Sequence, residues 1–143
     1  MKKNLIVKQD GYKECGAACL LSIIRYYNGN VSINRLVEGT HTGKDGTNFY
    51  QLKIAAEQVG LEAIGYKADN IESLQEIKNP FICQLIDQNY EHFVVVYQVK
   101  KNKIVMMDPS IGQRIISIDS FQKMWTGYIM IFSPKKQLLN LTE

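Results

Sequence analysis

The sequence predicts an α+β fold in which N-terminal helices pack on a largely antiparallel β-sheet. Two observations carry this prediction. The first half places apolar residues at helical spacing between capping residues, whereas the second half offers short β-branched and aromatic runs separated by turn residues. A third observation sets the strand direction: the Lys101-Asn102 turn is short enough to join antiparallel neighbours.

Residues 15–28 read as the first helix, because Ala17, Ala18, Leu20, Leu21, Ile23 and Ile24 are strongly apolar, no proline intervenes and Asn28-Gly29-Asn30 supplies a stop. Residues 32–38 read as a short helix capped by Ser32. Residues 47–59 read as a longer one starting at Thr47 or Gly46 and stopped by Gly60. Residues 61–66 suit a strand and residues 71–77 a short helix. Strands follow at 80–86, 92–100, 103–108, 114–118 and 128–132, with a turn of helix over 121–125 after Asp119 or Ser120.

Composition narrows the function classes. A chain of 143 residues with 45% hydrophobic content is the size of one soluble domain with one core. A formal charge of +3 is too slight to argue for nucleic acid. No run approaches the roughly 18 apolar residues of a membrane span, and Met1-Lys2-Lys3 leads only into Leu5-Ile6-Val7, which does not read as a signal peptide. Cys15, Cys19 and Cys83 do not form a spaced disulfide frame, and Cys15 and Cys19 without an adjacent histidine make a poor zinc site. No metal or cofactor is expected, and Cys19 reads as a small core residue.

The stretch Gln9-Asp10-Gly11-Tyr12-Lys13-Glu14-Cys15-Gly16-Ala17-Ala18-Cys19 puts a thiol where the first helix begins. Unpaired N–H groups at a helix start favour the thiolate, so the position suits a nucleophile; the pattern also fits a cysteine packed in the core. A thiolate needs a base and a group to orient that base. His41 lies in a Gly-rich run that reads as an exposed loop. His92 opens a β-branched run that reads as a central strand, which makes it the better base. The next strand ends at Asp108, so the short turn brings His92 and Asp108 close, and Pro109 ends the ladder there. A turn-forming Asp108 and a satisfied strand-end His92 are the plainer alternatives. Gln9 lies six residues before Cys15, and its amide together with the Cys15 N–H could form an oxyanion hole.

Gln9, Cys15, His92 and Asp108, in that order, resemble the double-glycine leader peptidases, the papain-like domains at the N-terminus of bacterial peptidase-containing ABC transporters that export bacteriocins and peptide pheromones. The resemblance runs from Val7-Lys8-Gln9 through Cys15-Gly16-Ala17-Ala18-Cys19, Gly46-Thr47, His92-Phe93-Val94-Val95, Asp108-Pro109 and Gly112 to Trp125-Thr126-Gly127. It departs at Glu14, where such domains usually carry Asp.

The resemblance implies a papain-like cysteine peptidase over residues 1–134, with 135–143 as a linker toward a transmembrane domain. It makes Gln9 the oxyanion donor, Cys15 the nucleophile, His92 the base and acid, and Asp108 its orienting partner. The implied substrate is a precursor peptide with an amphipathic helical leader ending in Gly-Gly or a similar pair of small residues, cut after the second of them. The implied partners are the membrane and ATPase domains of a transporter, at the cytoplasmic face of the cell membrane. Tyr90, Phe93 and Trp125 are candidate leader contacts, although a core or sheet-packing role suits each of them better. The competing readings are a non-catalytic leader-docking module and an acyltransferase sharing the Cys-His-Asp chemistry.

Overall fold

The computed structural model describes residues 1–9, 14–40 and 47–135. His41, Gly46 and all of the expected linker except Lys135 lie outside these residues. Three helices come first: α1 (Cys15–Tyr26), α2 (Ile33–Gly39) and α3 (Phe49–Gln58). The strands are β1 (Leu61–Lys67), β2 (Phe81–Asp87), β3 (Tyr90–Val99), β4 (Lys103–Asp108), β5 (Gly112–Ser117) and β6 (Trp125–Pro134), with a 3-10 helix at Ile71–Glu76 and α4 (Ile118–Met124) between strands. The expected α+β class is the observed one.

α1 ends as a Schellman motif with asparagine in the left-handed position. Asn28 has φ 67°, its N–H bonds to Arg25 O and the Gly29 N–H bonds to Ile24 O. From Cys15 to Ile24 every residue of α1 is buried, which explains why this helix is apolar nearly all round. Ser32 caps α2 as expected, accepting from Arg35 N.

Several boundaries differ from expectation. α3 is capped by Asn48, whose side chain accepts from Gln51 N at 2.9 Å; the Thr47 hydroxyl instead donates to Thr40 O and so is committed elsewhere. α4 is capped by Ser117 rather than Asp119 or Ser120, because β5 stops there and frees the Ser117 hydroxyl to accept from Ser120 N. The segment at Ile71–Glu76 is a 3-10 helix, with Asn70 accepting from Ser73 N. β3 starts two residues before His92. Gln88 and Asn89, both at positive φ, make a two-residue turn that pairs Asp87 with Tyr90. His92 is therefore held inside the ladder, opposite Leu85, and not at its mouth.

The sheet order is β1-β6-β2-β3-β4-β5, antiparallel throughout. β6 is the last strand in sequence yet lies between β1 and β2. It begins at Trp125, three residues earlier than expected, where it pairs with Leu85.

Alternate residues of β2 feed two cores. Ile82 joins a cluster with α1, α2 and α3, while Phe81, Cys83 and Leu85 join a second with the 3-10 helix and Phe121 of α4. Leu20, Ile23 and Ile24 lie wholly inside the first cluster. Truncating one of them to alanine would cost roughly 2–5 kcal/mol.

The site end is tied down by two further devices. The N-terminal segment reaches the β4–β5 turn through Gln9 N, which donates to Pro109 O at 2.8 Å. Beside Cys15, Gly16 leaves room for the side chains of Thr47 and Leu52; a Cβ there would collide with Thr47 Cγ2. A glycine is what lets the start of α3 close onto the start of α1.

Candidate active site

Cys15 is the first residue of α1 and is buried. β3 and β4 supply the polar partners. His92 Nε2 meets Asp108 Oδ1 at 2.5 Å, with the two residues only 5% and 1% exposed. In the antiparallel pair, Val95 faces Met107 and Val96 faces Met106, so the chain entering β3 runs beside the chain leaving β4. The fifteen intervening residues thus fold back on themselves and bring the imidazole to the carboxylate.

Asp108 accepts more than this one bond. Its Oδ1 also receives Ser110 N at 3.0 Å and Ser110 Oγ at 2.7 Å, while Oδ2 receives Arg114 Nη1 at 3.2 Å. Burial alone would raise its pKa. The bonds from His92 and Ser110, together with the imidazolium charge, outweigh that and hold the carboxyl well below the ordinary carboxylate range. Four donors also fix the direction of the carboxylate.

Burial likewise opposes the charged form of His92. The bond to Asp108 and the charge interactions with Asp108 and Cys15 prevail, and its pKa is raised to about 9. Nε2 is committed to Asp108, which leaves Nδ1 as the nitrogen for the thiol. Nδ1 is buried and finds no hydrogen-bond partner among the described residues, while Cys15 lies close enough to His92 to help raise its pKa.

The three cysteines have separate environments. Cys19, one turn along α1, is fully buried, and burial together with Cys15, Asp108 and Cys83 pushes its thiol well up. Cys83 is pushed up by burial in the second core. Both therefore stay as thiols. Cys19 is the small core residue expected of it.

Gln9 is anchored to the same turn as Asp108 through its backbone. Its Oε1 is buried and finds no partner among the described residues.

Of the three aromatic candidates, Tyr90 lies against the His92 ring at a 5.5 Å centroid separation and helps to line a cavity of about 300 Å³ beside His92 and Asp108. Phe93 is a core residue packed edge-on against Phe49. Trp125 packs on Phe121 and donates from Nε1 to Tyr128 O.

A second concave surface went unread in the sequence. Phe49, Tyr50 and Lys53 of α3, with Tyr66 of β1 and Tyr128 and Met130 of β6, line an open groove of about 290 Å³. Only the pairing of β1 with β6 unites these residues, so no local pattern announces them. Arg114 was also missed. The signal for it was present, since in a hairpin with a short turn Arg114 falls opposite Met106 and close to Asp108.

The chain is similar in sequence and fold to known proteins. The model of the Peptidase C39 family matches residues 3–137. The lactococcin-G-processing and transport ATP-binding protein LagD of Lactococcus lactis subsp. lactis is 37% identical over 137 residues, covering 94% of this chain and 19% of LagD. The lacticin-481/lactococcin-DR transport/processing ATP-binding protein lcnDR3 of the same organism is 32% identical over 130 residues, covering 90% of this chain and 19% of that protein. The chain thus spans about a fifth of the length of these relatives.

Among solved structures, the peptidase domain of Streptococcus ComA, a bi-functional ABC transporter involved in quorum sensing, superposes with a TM-score of 0.82 at 32% identity, over 90% of this chain and 97% of that one. A double glycine motif protease from an AMS/PCAT transporter, solved in complex with the leader peptide, gives a TM-score of 0.84 at 30% identity, over 91% of both chains. With a match to nearly its whole length and relatives above 30% identity, the chain belongs to the Peptidase C39 family.

Proposed function

We propose that this chain is a cysteine endopeptidase domain that removes the leader of a bacteriocin-type precursor peptide by cutting after a Gly-Gly pair. The observation that carries this reading is the buried His92–Asp108 pair set beside the thiol that begins α1. In the proposed reaction the Cys15 thiol gives its proton to His92 Nδ1, the sulfur attacks the carbonyl carbon of the second glycine, and the carbonyl oxygen takes up the negative charge. Gln9 and the Cys15 N–H donate to that oxyanion, a contribution worth roughly 10²–10³ in rate per donor.

When the intermediate collapses, the C–N bond breaks and its electron pair stays on nitrogen. His92 Nδ1–H gives that nitrogen its proton, leaving a thioester on Cys15. His92 then takes a proton from water, the resulting hydroxyl adds to the thioester carbon, and the thiolate departs to leave the leader's carboxylate. Asp108 holds the ring so that Nδ1 is the exchanging nitrogen in both halves.

The groove between α3 and the β1–β6 pair supports a leader-docking role. Tyr50, Tyr66 and Tyr128 are 71%, 42% and 44% exposed, and an amphipathic helix laid there would cover them. The names of the relatives, which join processing with transport, support the further reading that the domain works with the membrane and ATPase parts of an exporter at the cytoplasmic face.

The test is to incubate the chain with a precursor bearing a Gly-Gly leader and to read the products by mass spectrometry. The expected result is a single cut after the second glycine, abolished in Cys15→Ala with leader affinity kept. Binding without cleavage by the wild type would leave a docking module, and transfer of the acyl group to an added amine would mark an acyltransferase.

A further inference from the structure

The cavity beside the His92–Asp108 pair lies away from the aromatic groove, and the two share no lining residue. Its walls come from the β2–β3 turn, with Asp87 and Tyr90, and from the β4–β5 turn, with Ile111, while Arg114 reaches it from β5. His92 and Asp108, nearly inaccessible themselves, form its inner end. Cys15 does not line it.

The reaction dictates what this place must receive. The departing amine has to reach the ring nitrogen that carries the proton, so the chain following the cut leaves the sulfur on the imidazole side. The aromatic groove shares no lining residue with the cavity, so a leader lying on the groove leaves the cavity free for the chain after the cut. We propose that this cavity is the subsite for the first residue or two after the scissile bond, and that Asp87 biases it toward cationic and against acidic side chains. The inference rests on the peptidase reading.

Size and charge both fit. A cavity of about 300 Å³ is at the small end of ligand pockets, which run roughly 300–1,000 Å³, and so takes a short extended piece of chain and not a folded segment. Once His92 has passed its proton to the amine, the described residues of the walls hold the carboxylates of Asp87 and Asp108 against the guanidinium of Arg114. Asp108 is satisfied by its four donors, so the excess negative charge falls on Asp87, which is exposed at the rim.

The experiment uses three precursors with one shared Gly-Gly leader and Lys, Ala or Asp immediately after the cut. Expected is a kcat/KM that falls in that order, with Lys over Asp by about fivefold at low salt, and a spread that narrows as salt is raised. Asp87→Lys, a surface change, is expected to invert the order while the affinity for leader peptide alone is unchanged. Equal rates across the series, or an order unmoved by Asp87→Lys, would overturn the subsite and leave the peptidase standing. Failure of the wild type to cut any of the three would remove the peptidase reading and this inference with it.

Discussion

The β3–β4 end of the sheet and the groove between α3, β1 and β6 spend their residues in opposite ways. The first buries its polar groups and matches them: His92 and Asp108 are 5% and 1% exposed, and the carboxylate takes four donors. The second leaves its aromatic rings in water, with Tyr50 71% exposed. The contrast fits the roles proposed for the two regions. Proton transfer needs groups fixed before substrate arrives, because a loose base loses rate steeply. Docking needs apolar area that gives up its water only on binding. Changes at the first region should move turnover, and changes at the second should move affinity.

The largest effect expected is from His92→Ala, which removes the proton carrier and should lower kcat by about 10³-fold or more with leader affinity kept. His41→Ala is the comparison, expected to change kcat little; equal loss at both would transfer the base to His41. Asp108→Asn tests how much of the first region is charge and how much is geometry. A hydrogen bond involving a charged group is worth roughly 1.5–3 kcal/mol. The amide oxygen can still accept from Nε2, so the expected fall in kcat is about 10- to 100-fold, short of His92→Ala.

On the other side, Tyr66→Ser and Tyr128→Ser should each raise KM for a leader-bearing precursor about tenfold with kcat unchanged, the loss of a partly buried ring. A fall in kcat instead would merge the two regions and dissolve the comparison. The smallest effect is in stability. His92 titrates at about 9 in the folded chain against an ordinary 6.5, so the stability it contributes is complete below pH 6.5 and is lost as pH rises through 9. Melting temperature should therefore fall between pH 7 and pH 10 by on the order of 5 °C more in the wild type than in His92→Gln. Parallel curves would mean that the ring is not held by Asp108 in solution.

What was legible beforehand was mostly local. The helix from Cys15 to Tyr26, the Ser32 cap and the strand ending at Asp108 follow from neighbouring residues, and all three are where local pattern put them. The proximity of His92 and Asp108 was legible because a short turn constrains antiparallel neighbours. Caps were less so: Asn48 displaced Thr47 because the Thr47 hydroxyl bonds to Thr40, a contact made only after α2 and α3 pack. The start of β3 was missed because Gln88 and Asn89 adopt positive φ without a glycine to signal it. Phe93 reads first as a packing residue and second as a leader contact, and it packs in the core because β3 is covered on both faces.

By itself, then, the sequence determined the element types, the thiol at a helix start and an acid and an imidazole on adjoining strands, since all of these rest on contacts within a turn or a hairpin. Only the tertiary structure decided that β6 inserts between β1 and β2, that Tyr66 and Tyr128 share a groove with Phe49, and that Asp87 and Arg114 border one cavity. Those arrangements depend on pairing strands far apart in the chain, where the energy comes from burying whole faces at once and no single residue carries the signal.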